Sequence, residues 1–186
     1  MPRKFLFTRE EITAAALALV REKGADALTA RALGERLGTS AKPIFGLFKN
    51  MEDVRETVIA AAAERLDQLT RAEMTAGRYP PYKASGMAYI RFAKEEKELF
   101  KLLYMRDRSA EQPPKEAGLS GQLKSLVHNS TGFSGARAGL FHLEMWAYVH
   151  GVAAMLATGF LELDWPLISQ MLTDAYMGLK KRFEEE

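Results

Sequence analysis

Apolar residues recur along this chain at intervals of three and four, the period of helices with one buried face. The first such run holds Ile12, Ala15, Ala16, Leu19 and Val20. Thr8 and Glu11 precede it at the spacing of a capping box, Phe7 and Ile12 stand as a hydrophobic staple, and Gly24 ends it. A second, two-turn helix is predicted after Thr29 as N-cap. Leu28 and Leu33 form its staple, Leu33 and Leu37 face inward, and Gly38 closes it. A helix so short persists only when packed on its neighbours.

The next stretch, TSAKPIFGLFKN from Thr39 to Asn50, carries a proline where helical periodicity would continue. With Ser40 as N-cap, Pro43 falls in the first turn, where its missing N–H costs no helical bond. The spacing then predicts a third short helix to about Leu47, with Ile44 and Phe48 inward and Ser40 capping the N–H of Lys42. Two short helices joined by Gly38, Thr39 and Ser40, after a longer supporting helix, have the layout of a helix-turn-helix. Asn50 caps a long helix, Met51 to about Met74, with Glu52 and Asp53 in its first turn where the helix dipole favours acids.

Beyond Gly77, Tyr79-Pro80-Pro81-Tyr82 opens another helix. Amphipathic segments are expected over 82–94 and 96–105, a polar loop over 107–120, and a helix over about 116–130. TGFSG is punctuation, and two long helices close the chain at about 134–159 and 164–183. Small residues at Gly139, Ala147, Gly151, Ala154 and Gly159 permit close helix approach. Strand alternation and internal repeats are absent from the pattern. The fold class expected is all-α, about nine helices, with an N-terminal three-helix domain over 1–50 and a larger helical domain over 51–186.

Composition changes this picture little. Hydrophobic residues at 47% and charged residues at 27% are ordinary for a globular protein. Zero cysteines exclude disulfides and thiolate metal sites and fit a reducing compartment. The apolar patch in MPRKFLFTREE is too short for a signal peptide, and no run reaches the roughly 18 apolar residues of a membrane span. A cytoplasmic location without membrane association is expected. Charge is more informative once divided. Residues 1–50 hold 9 Lys/Arg against 5 Asp/Glu, and residues 51–186 hold 17 against 19, so the basic excess is N-terminal. That asymmetry points to a polyanionic partner.

Residues 8–54 resemble the N-terminal DNA-binding domain of TetR-family transcriptional regulators. The resemblance is carried by the glycine after the first helix, Thr29 opening the second, the Leu37-Gly38-Thr39-Ser40 turn and the Ile44-Phe45-x-x-Phe48-Lys49-Asn50 run. Trp146-Ala147-Tyr148-Val149-His150-Gly151 resembles a Trp-x-x-x-His-Gly element of some C-terminal regions in that family. Family members often carry Tyr, His and Lys where this chain has Phe45, Leu47 and Met51.

The resemblance implies double-stranded DNA as partner, and the residues supply roles. Ser40, Lys42 and Phe45, with Thr39 and Ala41 beside them, are placed to enter a major groove. Thr29 offers a hydroxyl at a helix N-terminus, a natural phosphate site. Lys49, Arg31 and the arm residues Arg3 and Lys4 add countercharge. The resemblance further implies a homodimer through the last two helices, matched to a palindromic operator.

For the larger domain, two readings of the Met- and aromatic-rich segments stand side by side, an ordinary core and a pocket for a small apolar or aromatic effector. The pocket reading takes Met87, Ile90, Phe100, Tyr104, Leu123, Val127, Trp146 and His150. His142, Trp146 and His150 share one helix face. A metal there lacks a third ligand, so no metal and no cofactor is expected. No nucleophile elbow or phosphate loop appears, so no catalytic residue is assigned and the chain is read as a non-enzyme. The expected function is a homodimeric repressor released by an effector. An activator, an effector-free regulator, and a helical carrier or enzyme with a vestigial hairpin are the alternatives.

Overall fold

The structure, a computed structural model, describes residues 6–109 and 121–185. Among these, regular structure is helical throughout. Eight α-helices run α1 (Arg9–Lys23), α2 (Ala30–Arg36), α3 (Met51–Thr75), α4 (Pro81–Glu95), α5 (Lys97–Tyr104), α6 (Gly121–Thr131), α7 (Gly135–Ala157) and α8 (Trp165–Glu185). Two single 3-10 turns, Ala25–Ala27 and Ile44–Gly46, complete the set. Expected residues 110–120, which include the start of the helix placed at 116–130, lie outside the described residues.

The third helix of the sequence reading is not an α-helix. Ile44–Gly46 is one 3-10 turn whose N-cap position is Pro43, with no side-chain cap. The cap expected from Ser40 is therefore not the one that starts it. Its bonds run to the third residue back, Ile44 N–H to Ala41 at 3.1 Å, Gly46 N–H to Pro43 at 3.2 Å and Leu47 N–H to Ile44 at 3.0 Å. Pro43 has no N–H to give and disfavours the α region at Lys42, and Gly46 is a poor helix former. A single i→i−4 bond follows, Phe48 N–H to Ile44 at 2.9 Å, and so short a segment with two such breakers does not propagate an α-helix.

The chain divides into two compact units, Met1–Asp67 with Glu96–Arg106, and Gln68–Glu95 with Asp107–Glu186. In the first unit the predicted periodicity becomes the core. Ile12, Ala16, Leu19 and Val20 of α1 are buried, as are Leu33, Ile44, Phe48, Val54 and Val58. The capping box of α1 is complete, with Glu11 N–H donating to the Thr8 hydroxyl at 3.1 Å and Thr8 N–H donating to the Glu11 carboxylate at 2.8 Å. Asp53 N–H donates to Asn50 Oδ1 at 2.9 Å, capping α3 as expected. From α5, Leu99, Phe100, Leu102 and Leu103 are also buried.

One carboxylate is buried with them. Glu96 accepts two hydrogen bonds from Arg21, at 2.6 and 2.8 Å, and one from Arg65 at 3.0 Å. Both arginines are half-exposed while the Glu96 side chain is 7% exposed. The charge is thus paired at the surface of the core rather than stranded inside it.

The second unit is built on rings. Phe141 stands edge-on to Phe133, Phe183 and Tyr176 at centroid distances of 5.5, 5.6 and 5.7 Å. Edge-to-face geometry is the favoured arrangement for aromatic quadrupoles. Val127, Ala138 and Met145 complete this cluster, with Leu123 and Leu179 packed against it. One close approach in this unit falls at Gly86, where an added Cβ would lie 3.2 Å from Leu172 and 3.6 Å from Val149. Gly151, expected to permit close packing, has nothing within 4 Å. Buried Glu73 is met by Arg78 at 2.8 Å and Arg91 at 3.4 Å.

Candidate nucleic-acid interface

Local chemistry at the end of α2 sets the geometry of the turn. Thr29 caps the helix by accepting from Ala32 N–H at 3.1 Å. Leu37 ends it, and Gly38 follows with φ of 68°, a left-handed conformation that glycine adopts without steric cost. Gly38 N–H then donates to Glu35 at 3.1 Å and Thr39 N–H to Gly34 at 2.9 Å, the paired bonds of a Schellman motif. The chain doubles back over Gly34 so closely that a Cβ there would sit 3.0 Å from the Thr39 oxygen and the Ser40 carbonyl carbon. Glycine at 34 is thus what lets the turn lie directly on α2.

The segment after the turn is pinned from below. Ile44 and Phe48 are buried, and the Arg9 guanidinium lies 4.1 Å from the Phe48 ring centre. The same guanidinium donates to the Leu47 carbonyl at 2.8 Å and pairs with Asp53. Lys49 N–H donates to the other oxygen of Asp53 at 3.0 Å. Hydrogen bonding from Arg9, and next from the Lys49 backbone, holds the Asp53 carboxyl below the usual carboxylate range. A short 3-10 turn cannot hold itself, and these contacts substitute for helical hydrogen bonds.

On that frame Ser40, Lys42, Phe45 and Lys49 are exposed, and Thr39 and Ala41 are half-buried. Thr29 and Arg31 are exposed at the N-terminal end of α2. Arg31 donates to Glu35 at 2.8 Å, so part of its charge is already matched within the helix. Arg3 and Lys4 lie outside the described residues. Sequence reasoning missed Arg9 and Gly34, and gave Asp53 a helix-dipole role without its pairing to Arg9. Gly34 left a signal, because glycine inside a short helix costs about 1 kcal/mol relative to alanine and implies a close approach. Arg9 left none, since its partners lie 38 and 44 positions away.

The residues assigned to an effector pocket are distributed. Phe100 and Tyr104 belong to the first unit, where their rings lie 5.1 Å apart. Met87, Ile90 and Val127 are buried in the second unit, and Leu123 is half-buried there. Trp146 is 38% exposed and stacks on His150 at 5.2 Å. His142 and His150 of α7 each share a hydrogen bond with a tyrosine of α4, Tyr82 at 3.0 Å and Tyr89 at 2.9 Å. Burial pushes both imidazoles below their ordinary range and the Tyr82 phenol above its own, so the Tyr82–His142 bond joins two neutral groups.

Residues 12–58 match the family described as bacterial regulatory proteins, tetR family. Residues 82–176 match a family described as tetracyclin repressor-like, C-terminal domain. A protein of Mycobacterium tuberculosis (strain ATCC 25618 / H37Rv), described as an uncharacterized HTH-type transcriptional regulator, is 25% identical over 180 residues. The match covers 94% of this chain and 83% of that protein. Among the described residues no helix is long and apolar enough to cross a membrane. With the two family matches covering both the pinned turn and the helical region after it, the chain belongs to the TetR family of DNA-binding, helix-turn-helix transcriptional regulators.

Proposed function

We propose that the protein is a homodimeric repressor that binds a palindromic operator and leaves it when a small apolar or aromatic effector binds. Residues 1–50 form the DNA-binding domain in this reading, 51–186 the effector-binding and dimerisation domain, and the protein works in the cytoplasm. The observation that carries the DNA role is the exposed set Ser40, Lys42, Phe45 and Lys49 on a backbone pinned by Arg9 and Asp53. A rigid turn with cations on its open side meets the two needs of groove recognition, register and countercharge.

Dimerisation draws support from apolar positions left open on the last two helices. On α7, Leu140 and Leu143 are 49% and 40% exposed and share a stripe with Ala147 and Gly151. On α8, Leu167 and Met177 are 44% and 59% exposed, and Gly178 has nothing within 4 Å. Leucines beside small residues let two helix pairs approach about a two-fold axis. Release follows from linkage, because an effector that prefers a state unable to bind DNA weakens DNA binding by that preference. The half-exposed Trp146–His150 stack of α7 is the surface proposed to meet an aromatic effector.

Fluorescence anisotropy with DNA upstream of the protein's own gene tests this reading. Binding is expected to be specific, steeply salt-dependent and two chains per site. No specific retention at low salt would sink it. Neutralising Lys49 is expected to weaken binding to all sequences alike, whereas altering Lys42 changes which sequence is preferred. Equal selectivity of the two variants contradicts that division. Leu143→Arg is expected to shift the protein to monomers in sedimentation and to lower operator affinity with it.

A further inference from the structure

Within the exposed face of the turn, one side chain is out of keeping with its neighbours. Phe45 is 47% exposed although Ile44 just before it and Phe48 three residues after it are buried at 0% and 2%. Its phenyl ring has no hydrogen-bond donor or acceptor. Lys42 and Lys49 are exposed before and after it. A bare ring between two available cations is poorly suited to water. It is well suited to a surface that offers anions on either side of an apolar group.

The backbone beneath the ring is held in place. Arg9 grips the Leu47 carbonyl, Lys49 N–H is tied to Asp53, and Ile44 anchors the turn in the core. The backbone that carries the phenyl is therefore already ordered, and only side-chain rotation remains to be restricted on binding. In the major groove of unmodified DNA, one base alone displays an apolar group, the C5-methyl of thymine. Phosphates flank it on both strands.

We propose that Phe45 is a specificity-determining residue that reads a thymine by packing on its 5-methyl group, while Lys49 holds the flanking backbone. The inference rests on the DNA-binding reading above and adds the identity of the base. Phe45 selects thymine over cytosine at one position in each half-site, and it accepts 5-methylcytosine there as a substitute. Burying one methyl is worth about a fourfold change in affinity per half-site, on the order of fifteenfold for both halves of a symmetric site.

The test uses the full-length protein and an operator it selects from genomic fragments. Each thymine of a half-site is replaced singly by deoxyuridine, which removes only the methyl, and affinities are read by anisotropy. One replacement is expected to weaken wild-type binding about fourfold, cytosine there to do the same, and 5-methylcytosine to restore it. Phe45→Ala, which alters both protomers, is expected to bind the parent operator about fifteenfold more weakly, as wild type binds an operator with deoxyuridine in both half-sites, and to ignore the replacement. Phe45→Leu, which keeps an apolar contact, retains part of the sensitivity.

Tolerance of deoxyuridine at every thymine by wild type overturns the proposal. So does a Phe45→Ala variant that keeps full sensitivity, or one that loses affinity equally for operator and unrelated DNA. Failure of wild type to select any DNA sinks the DNA-binding reading itself, a separate result from deoxyuridine tolerance in a protein that binds. Circular dichroism of both variants is expected to match wild type, because the ring is not part of the core.

Discussion

The first unit holds its working segment with polar pins, and the second holds its helices with rings. Between Thr39 and Asn50 the backbone is neither α-helix nor strand, and its position depends on Arg9, Asp53 and the bare Cα of Gly34. Around Phe141, by contrast, Phe133, Phe183 and Tyr176 meet it edge-on, and ring contacts fill the centre. The difference follows from what each segment can bury. The segment from Thr39 to Asn50 offers two buried anchors, Ile44 and Phe48, too few to fix it by packing alone. Long helices supply an apolar residue at every third or fourth position and can rely on contact area.

Substitutions should therefore hurt the two regions by different mechanisms. The largest effect is expected from Phe141→Ala, which empties the centre of the ring cluster and should cost about 3–5 kcal/mol. Thermal or chemical unfolding measures it, and hydrogen exchange should report the loss on α6, α7 and α8. A loss below about 1 kcal/mol would mean the cluster is not what holds that unit.

Next is Gly34→Ala. Helix propensity alone favours alanine by about 1 kcal/mol. The Cβ would meet the backbone of Thr39 and Ser40 at 3.0 Å, an overpacking that costs about 1–3 kcal/mol. A net loss is expected, and DNA affinity should fall more than stability because the turn is displaced. A stabilised variant with unchanged DNA affinity would show that the turn does not rest on α2.

Thr29→Ala removes the N-cap of α2 and should cost about 1 kcal/mol. Thr29→Asp keeps a capping oxygen but adds a negative charge, so it is expected to preserve stability while weakening DNA binding if Thr29 lies against a phosphate.

The smallest effect expected is a pH dependence of the ring-rich unit. Burial lowers the His142 imidazole below its ordinary value. The unfolded chain then takes up the proton first as pH falls, so this contribution is complete above the ordinary histidine range and is lost as pH falls through it. Unfolding followed between pH 7.5 and about 5 should show the decline, and His142→Gln should reduce it, leaving the part that His150 contributes. An identical slope in that variant would assign the dependence to other groups.

Much of the fold was legible in periodicity and caps. The Thr8–Glu11 box, the Thr29 and Asn50 caps and the burial of Ile12, Leu19 and Val20 are local consequences of sequence. The third helix was misread because proline is tolerated in a first turn, yet Pro43 and Gly46 together leave too few residues to propagate one. The candidate interface was legible as a set of exposed residue types, from Thr29 to Lys49. Its support was not, since Arg9 reaches across 38 positions to Leu47 with no periodic trace.

Residue order alone is enough to specify an all-helical chain, its basic N-terminal quarter and the turn at Gly38. Those properties depend on neighbours within four or five positions, where capping and backbone sterics act. Three-dimensional packing was needed to settle that the segment after the turn is a pinned 3-10 turn. It also settled that Glu96 is buried between Arg21 and Arg65, and that His142 and His150 pair with tyrosines of α4. Such contacts join residues tens of positions apart, and only the folded backbone brings their short-range hydrogen bonds within reach.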